Sequence, residues 1–241
     1  MSSVAEHYDR VLSPVYSWMA GGVEAALAAG AAELAALTPG ATDAFAVDLG
    51  AGFGMHAIPL ARAGARVLAI DSSQHLLDEL ARHAGNLPIT RVCDDLLSFR
   101  AHVTEPPTLV LCMGDTLTHL SEHTHVDFLA QEVAEVLTPG GHFVVSFRDY
   151  SVPLTDEKRF IPVRSDDRRI LTCFLEYDTD TVLVHDILHE RGGDAWDTKI
   201  SSYRKLRLSP ERVIGSLETL GFETRREAGV RGMVRIVARR G

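Results

Sequence analysis

Residues 46–54 read Ala46-Val47-Asp48-Leu49-Gly50-Ala51-Gly52-Phe53-Gly54. A short apolar run carries an acid and ends in three glycines at alternate positions, after which a helical pattern begins near Met55. Glycine allows a sharp turn between strand and helix and lets a ligand lie against bare backbone at the C-terminal edge of a sheet. About twenty residues further on, Val67-Leu68-Ala69-Ile70-Asp71 ends a second apolar run in a carboxylate, the position from which an acid accepts both hydroxyls of a ribose.

Outward from this pair, apolar runs alternate with helical patterns. Phe45 to Leu49, Arg66 to Ile70, Ile89 to Val92, Leu109 to Met113 and His142 to Phe147 read as strands. Met55 to Ala63, Ser73 to His83 and Glu122 to Leu137 read as the helices between them. That rhythm predicts an α/β fold, a doubly wound and mostly parallel sheet with helices on both faces. Upstream, Val15 to Leu37 is rich in Ala, Leu and Glu and predicts an N-terminal helical segment that stops at Thr38-Pro39-Gly40.

The pattern changes after Tyr150. Ile170 to Tyr177, Thr181 to Glu190 and Trp196 to Leu208 are β-like and joined by short polar turns, so they predict an antiparallel insertion of about three strands. Ser209-Pro210-Glu211 then starts a helix, with Ser209 as cap and Pro210 at its first position. Two closing strands follow, near 222–227 and 233–239. The expected organisation is a single domain over 1–241: an N-terminal helical lid (1–40), a cofactor-binding core (41–150), the insertion (151–208), and a C-terminal helix and strands (209–241).

A chain of 241 residues with 46% hydrophobic and 24% charged residues has the composition of an ordinary globular protein. Its net charge of -9 argues against a nucleic-acid partner, since phosphate binding relies on clustered Lys and Arg. Cys93, Cys112 and Cys173 are far apart and lack metal spacing, so no metal is expected. The first residues lack a secretory pattern and no stretch is long and apolar enough to span a bilayer, which predicts no membrane partner and a cytoplasmic location.

The ligand is narrowed by the glycine spacing and the first acid. Dinucleotide folds use G-x-G-x-x-G with a helix N-terminus facing a pyrophosphate, whereas here the spacing is G-x-G-x-G and Asp48 precedes it. An acid there suits a cationic ligand such as S-adenosylmethionine, which carries an ammonium and a sulfonium. On these residues the chain resembles the class I S-adenosylmethionine-dependent methyltransferases: residues 48–54 match the first motif of that family and Asp71 the acid after its second strand. Cys93-Asp94-Asp95-Leu96 is similar to the adenine-edge segment, and residues 137–143 to the turn leading into the fifth strand.

The resemblance implies a seven-stranded Rossmann-like sheet, S-adenosylmethionine as cofactor, S-adenosylhomocysteine as product, and a cofactor site drawn from Tyr8, Tyr16, Asp48, Gly50, Gly52, Gly54, Asp71, Ser72, Asp94, Asp95, Leu96, Met113 and Gly114. Met113 to Leu120 resembles the Gly-Asn-Ser-x-x-His-Leu stretch of the glycine and sarcosine N-methyltransferases, with Asp115 and Thr116 replacing Asn and Ser. A small-molecule N or O acceptor is the implied partner, and the insertion would cover it or contribute to subunit contacts, as in a homodimer.

Acceptor contacts are expected from Asp115, Thr116, His119, Arg148, Tyr150, Tyr203 and Arg204, an Arg beside a Tyr being a grip for a carboxylate or phosphonate. His119 is the candidate base or orienting group, because imidazole titrates near neutrality; its bland alternative is a helix-capping or packing histidine. Tyr8 and Tyr16 are read either as parts of a lid or as packing groups, and Arg204 equally as surface. Two other classes of function remain beside methyl transfer. An NAD(P)-dependent oxidoreductase would need a hydride-transfer pair such as Tyr-x-x-x-Lys, which the sequence lacks. A non-catalytic cofactor-binding module would share the first motif.

Overall fold

A computed structural model describes residues 12–37 and 44–241. Its centre is a seven-stranded sheet in the order β10-β11-β5-β4-β1-β2-β3, made of β1 (Phe45–Leu49), β2 (Arg66–Asp71), β3 (Ile89–Cys93), β4 (Leu109–Cys112), β5 (His142–Phe147), β10 (Phe222–Ala228) and β11 (Val234–Arg240). β1 to β5 pair in parallel, while β11 runs antiparallel to both β5 and β10. The central strands β1 and β4 are buried along nearly their whole length because helices cover both faces.

Those helices are α1 (Tyr16–Met19), α2 (Val23–Leu34), α3 (Ala57–Arg62), α4 (Gln74–Ala84), α5 (His123–Val136) and α6 (Pro210–Thr219). One core packs Val126, Leu129 and Val133 of α5 and Val213 and Leu217 of α6 onto the sheet. The other packs Leu27 and Leu34 of α2, Ile58 and Leu60 of α3, and Leu77 and Leu80 of α4 onto its opposite face. Hydroxyl caps start two of these helices: Ser73 accepts from the Leu76 amide at 3.5 Å, and Ser209 from the Arg212 amide at 3.2 Å with Pro210 next.

The described part of the N-terminal helical segment is divided into α1 and α2. Gly21 and Gly22 lie at φ 107° and 92°, so the chain turns between α1 and α2. The insertion holds four strands where three were expected: β6 (Phe160–Ser165), β7 (Arg169–Tyr177), β8 (Thr181–Gly192) and β9 (Ala195–Leu206), paired antiparallel in that order. Pro162 disguises β6 in the sequence; at a sheet edge a proline removes no ladder bond, and the register slips beside it between Pro162 and Arg164. β8 alternates half-buried and buried residues, its inner face carrying Val182, Val184, Asp186 and Leu188. Among the described residues no helix is long and apolar enough to cross a membrane.

Candidate active site

The strand order reverses between β1 and β4, and ligands of open α/β sheets collect outside the strand ends at such a point. Two cavities open there. The smaller, about 240 Å³, is lined by Gly50 and Gly52 of the loop after β1, Asp71 and Ser72 at the end of β2, Asp94, Asp95 and Leu96 after β3, and Thr116 and His119 after β4. The larger, about 510 Å³, is roofed by the inner face of the four-stranded sheet and floored by Gly114, Asp115, Ser146, Arg148 and Tyr150. Tyr16 lines both, so its ring stands where they meet.

The glycines of the loop differ in what they do. A Cβ on Gly50 would lie 2.4 Å from the Thr116 side chain, which fixes the approach of the loops after β1 and β4. At Gly52, φ 54°, the nearest atom to a Cβ is in the Tyr16 ring at 4.0 Å, so its bare face is turned to open space. Gly54 packs instead: a Cβ there would sit 2.9 Å from Ile58 and Leu80. The loop is pinned by the carboxylate of Asp71, whose Oδ2 accepts from the Gly52 amide and Oδ1 from the Ser73 amide, both at 2.8 Å.

Asp48 lies behind this loop and lines neither cavity. Its Oδ2 is buried with no hydrogen-bond partner among the described residues. Burial pushes its carboxyl up to about 6 from 3.8, with Asp71 pushing the same way and His56 opposing. Asp94 is held below the usual carboxylate range, chiefly by His102, whose Nε2 is 2.8 Å away.

A buried polar cluster closes the larger cavity. Asp115 adopts left-handed backbone (φ 77°) just past β4 and accepts from the Arg148 amide at 2.9 Å, Thr118 Oγ1 at 3.1 Å and Tyr150 OH at 3.4 Å. Lys205 of β9 completes it with an ion pair to Asp115 Oδ2. Burial, and then the Asp115 charge, pushes the Tyr150 phenol well above its ordinary value, so it donates as a neutral hydroxyl. The His119 ring, on the side of the smaller cavity, stacks on Tyr203 with centroids 5.4 Å apart, and Tyr203 faces the larger one.

The structure therefore gathers Tyr16, Gly50, Gly52, Asp71, Ser72, Asp94, Asp95, Leu96, Thr116 and His119 around one cavity, and Gly114, Asp115, Arg148, Tyr150 and Tyr203 around the other. Gly54 and Met113 are core residues away from both. Arg204 turns to the outer face, bonding Thr181 Oγ1 at 2.8 Å, because side chains alternate along β9 and Tyr203 and Lys205 take the inner positions. Tyr8 lies outside the described residues. Sequence reasoning missed Lys205, Asp186, Arg164 and Arg231; an acid within an otherwise apolar stripe of β8 was a readable signal for Asp186.

The residues present fit a cationic nucleoside. Asp71, Asp94 and Asp95 line the smaller cavity with no Lys or Arg among them, a wall that repels a pyrophosphate. The unpartnered oxygen of Asp48 behind the glycine loop adds negative potential on the same side.

Residues 46–141 match the family described as "Methyltransferase domain". No curated protein sequence matches the chain. Among solved structures, Streptomyces venezuelae DesVI is similar at a TM-score of 0.79 and 17% identity, over 95% of this chain and 98% of that one. The amino pentose methyltransferase CalS10 of Micromonospora echinaspora, solved with S-adenosylmethionine bound, is similar at 0.74 and 16%, over 88% and 90%. The sugar N-methyltransferase KedS8 of Streptoalloteichus sp ATCC 53650 is similar at 0.70 and 14%, over 89% and 87%. The likeness establishes a Rossmann-like methyltransferase fold, embellished by the small antiparallel sheet.

Proposed function

We propose that this chain, whose residues 46–141 match a methyltransferase domain, takes a methyl group from S-adenosylmethionine and delivers it to the nitrogen of a small-molecule amine. The observation that carries the reading is the junction of an acid-lined, nucleoside-sized cavity with a second chamber of about 510 Å³ at Tyr16. KedS8, a sugar N-methyltransferase, supports nitrogen over oxygen, and with the amino pentose methyltransferase CalS10 it supports a sugar-sized acceptor.

S-adenosylmethionine supplies a methyl carbon activated by sulfonium, so the chain's own work is alignment, exclusion of water and handling of a proton. Asp71 stands where it accepts from sugar hydroxyls, and Asp94 or Asp95 where it accepts from an exocyclic amine. Gly50 and Gly52 admit the ligand against the backbone. Tyr16 and the roof of β6 to β9 keep solvent from the junction. Asp115 and Tyr150 orient the acceptor from below, while His119, which lines the donor cavity and stacks on Tyr203 of the acceptor chamber, is the candidate to take a proton from the acceptor nitrogen at the junction.

Calorimetry with S-adenosylmethionine, S-adenosylhomocysteine and NADH tests the donor. Binding of NADH alone overturns the assignment to methyl transfer. Tritium from methyl-labelled donor, offered to a panel of amino sugars and to their hydroxyl counterparts, tests the acceptor atom. Label in the hydroxyl compounds alone overturns the choice of nitrogen.

A further inference from the structure

The larger cavity has a basic wall that neither the donor nor the amine chemistry requires. Arg148, just past β5, Arg164 of β6 and Arg231, between β10 and β11, all line it. They come from three separate parts of the chain and meet over the turn between α1 and α2. Arg148 Nη1 donates to the Arg231 carbonyl at 3.0 Å, and Arg231 Nη2 to the Ala20 carbonyl at 2.7 Å. Arg164 lies 5.7 Å from the Trp18 ring centroid, and its Nη1 is 3.5 Å from where a Cβ of Gly21 would stand.

Among the described residues none of the three pairs with a carboxylate. The acids of the same cavity are engaged elsewhere: Asp115 with Lys205, Glu33 with His56 at 3.2 Å, and Asp186 with the Cys173 thiol at 2.8 Å. Nearby Asp166 accepts from the Trp18 indole and from the backbone of Arg168 and Arg169. In a chain of net charge -9, three guanidinium groups without acid partners on one wall are a local reversal of sign. Each guanidinium has five N–H donors, so the bonds to backbone carbonyls leave others for a ligand. Arg231 is moreover held at φ 54°, ψ 35°, a left-handed conformation that a residue with a Cβ adopts at a cost, and such strain collects at ligand clamps.

From this arrangement we infer that Arg148, Arg164 and Arg231 form a subsite for an oxyanion of the acceptor, a phosphate or carboxylate group borne at the end of the molecule away from the methylated atom. Guanidinium forks match both groups in bidentate geometry. The subsite lies toward β5 and β11, whereas the glycine loop follows β1, with β4 between them in the sheet. The inference rests on the methyl-transfer reading for the identity of the ligand as an acceptor, while the anion preference itself is measured separately.

The test uses the full chain loaded with S-adenosylhomocysteine and three sugar-sized probes: glucose 1-phosphate, glucuronate and the neutral methyl glucoside. Binding is followed by ligand-observed NMR on the wild type and on Arg164→Gln and Arg231→Gln. The anionic sugars are expected to bind at least about tenfold tighter than the neutral one, and each substitution to reduce that preference about tenfold. The tighter of the two anions then identifies phosphate or carboxylate. Equal binding of charged and neutral probes, no binding of either anion, or an unchanged preference in both variants overturns the subsite. Calorimetry with S-adenosylhomocysteine and 5′-methylthioadenosine adds a control. If the substitutions weaken only the former, the arginines hold the amino-acid carboxylate of the donor and the proposal is wrong. Failure of S-adenosylhomocysteine to bind the wild type sinks the methyl-transfer reading instead, and the same probes on the unloaded protein still report on the arginines.

Discussion

Asp115, just past β4 of the large sheet, and Lys205, in β9 of the small one, form a buried ion pair with side chains 7% and 8% exposed. It joins the two sheets through groups largely withdrawn from solvent. Removing one partner from such a pair leaves a charge unpaired in the interior, at a cost of about 3–5 kcal/mol, whereas replacing both is far milder. Lys205→Met is therefore expected to lower the unfolding free energy by about that amount, and Asp115→Asn combined with Lys205→Met to restore most of it. Urea denaturation of both variants measures this; a Lys205→Met protein as stable as the wild type would remove the pair from the forces that seat the insertion.

Much of the frame around that pair was legible beforehand because parallel strands buried on both faces are continuous apolar runs. β1 and β5 fall at the residues read from sequence, and β2 to β4 within one residue. The glycine loop and Asp71 were legible because each departs from what a strand end needs for packing alone. What escaped depends on the third dimension. β6 hid behind Pro162, and Lys205 was passed over for its neighbour Arg204 because an inward or outward side chain in β9 is set by register with β8. Arg164 and Arg231 lie 67 residues apart and come together only once β6 and the β10–β11 turn both pack beside α1.

Gly52 and Gly54 are two residues apart and are expected to respond differently to alanine. At Gly52 the new methyl meets nothing closer than 4.0 Å but enters the smaller cavity, and the left-handed backbone adds about 1–2 kcal/mol of strain. Affinity for S-adenosylhomocysteine should fall tenfold or more with a modest loss of stability. At Gly54 the methyl would press on Ile58 and Leu80 at 2.9 Å, so overpacking of about 1–3 kcal/mol adds to comparable strain. Here the larger effect should appear in thermal unfolding, with the folded protein still binding. Calorimetry paired with melting curves decides, and the reverse ranking would show that Gly54 faces the ligand.

Asp48 gives a pH dependence whose sign follows from its environment. Its carboxyl is raised from 3.8 to about 6, mainly by burial, so folding favours the protonated form. Its contribution to stability is greatest below about 4, is lost as pH rises toward 6, and above that the ionised group costs the fold about 3 kcal/mol. Asp48→Asn should flatten this part of the stability curve and raise stability at pH 7. The same charge favours a cationic ligand, so affinity for S-adenosylmethionine should rise as pH passes through about 6 in the wild type but not in Asp48→Asn. An identical pH profile of stability in both proteins would show that Asp48 ionises as freely in the fold as in the unfolded chain.

His119 separates chemistry from packing because its ring does both: it faces the smaller cavity and stacks on Tyr203 at 5.4 Å. If it removes a proton from the acceptor, His119→Ala should lower kcat by about 10²-fold or more, the usual contribution of a general base. His119→Phe keeps a ring against Tyr203 and fills the same space without a titrating nitrogen. It should therefore be as slow as the alanine variant, with both binding S-adenosylhomocysteine within a few-fold of the wild type. Recovery of turnover in His119→Phe would mean that the imidazole serves only to hold Tyr203 in place, and that the proton leaves the acceptor by another route.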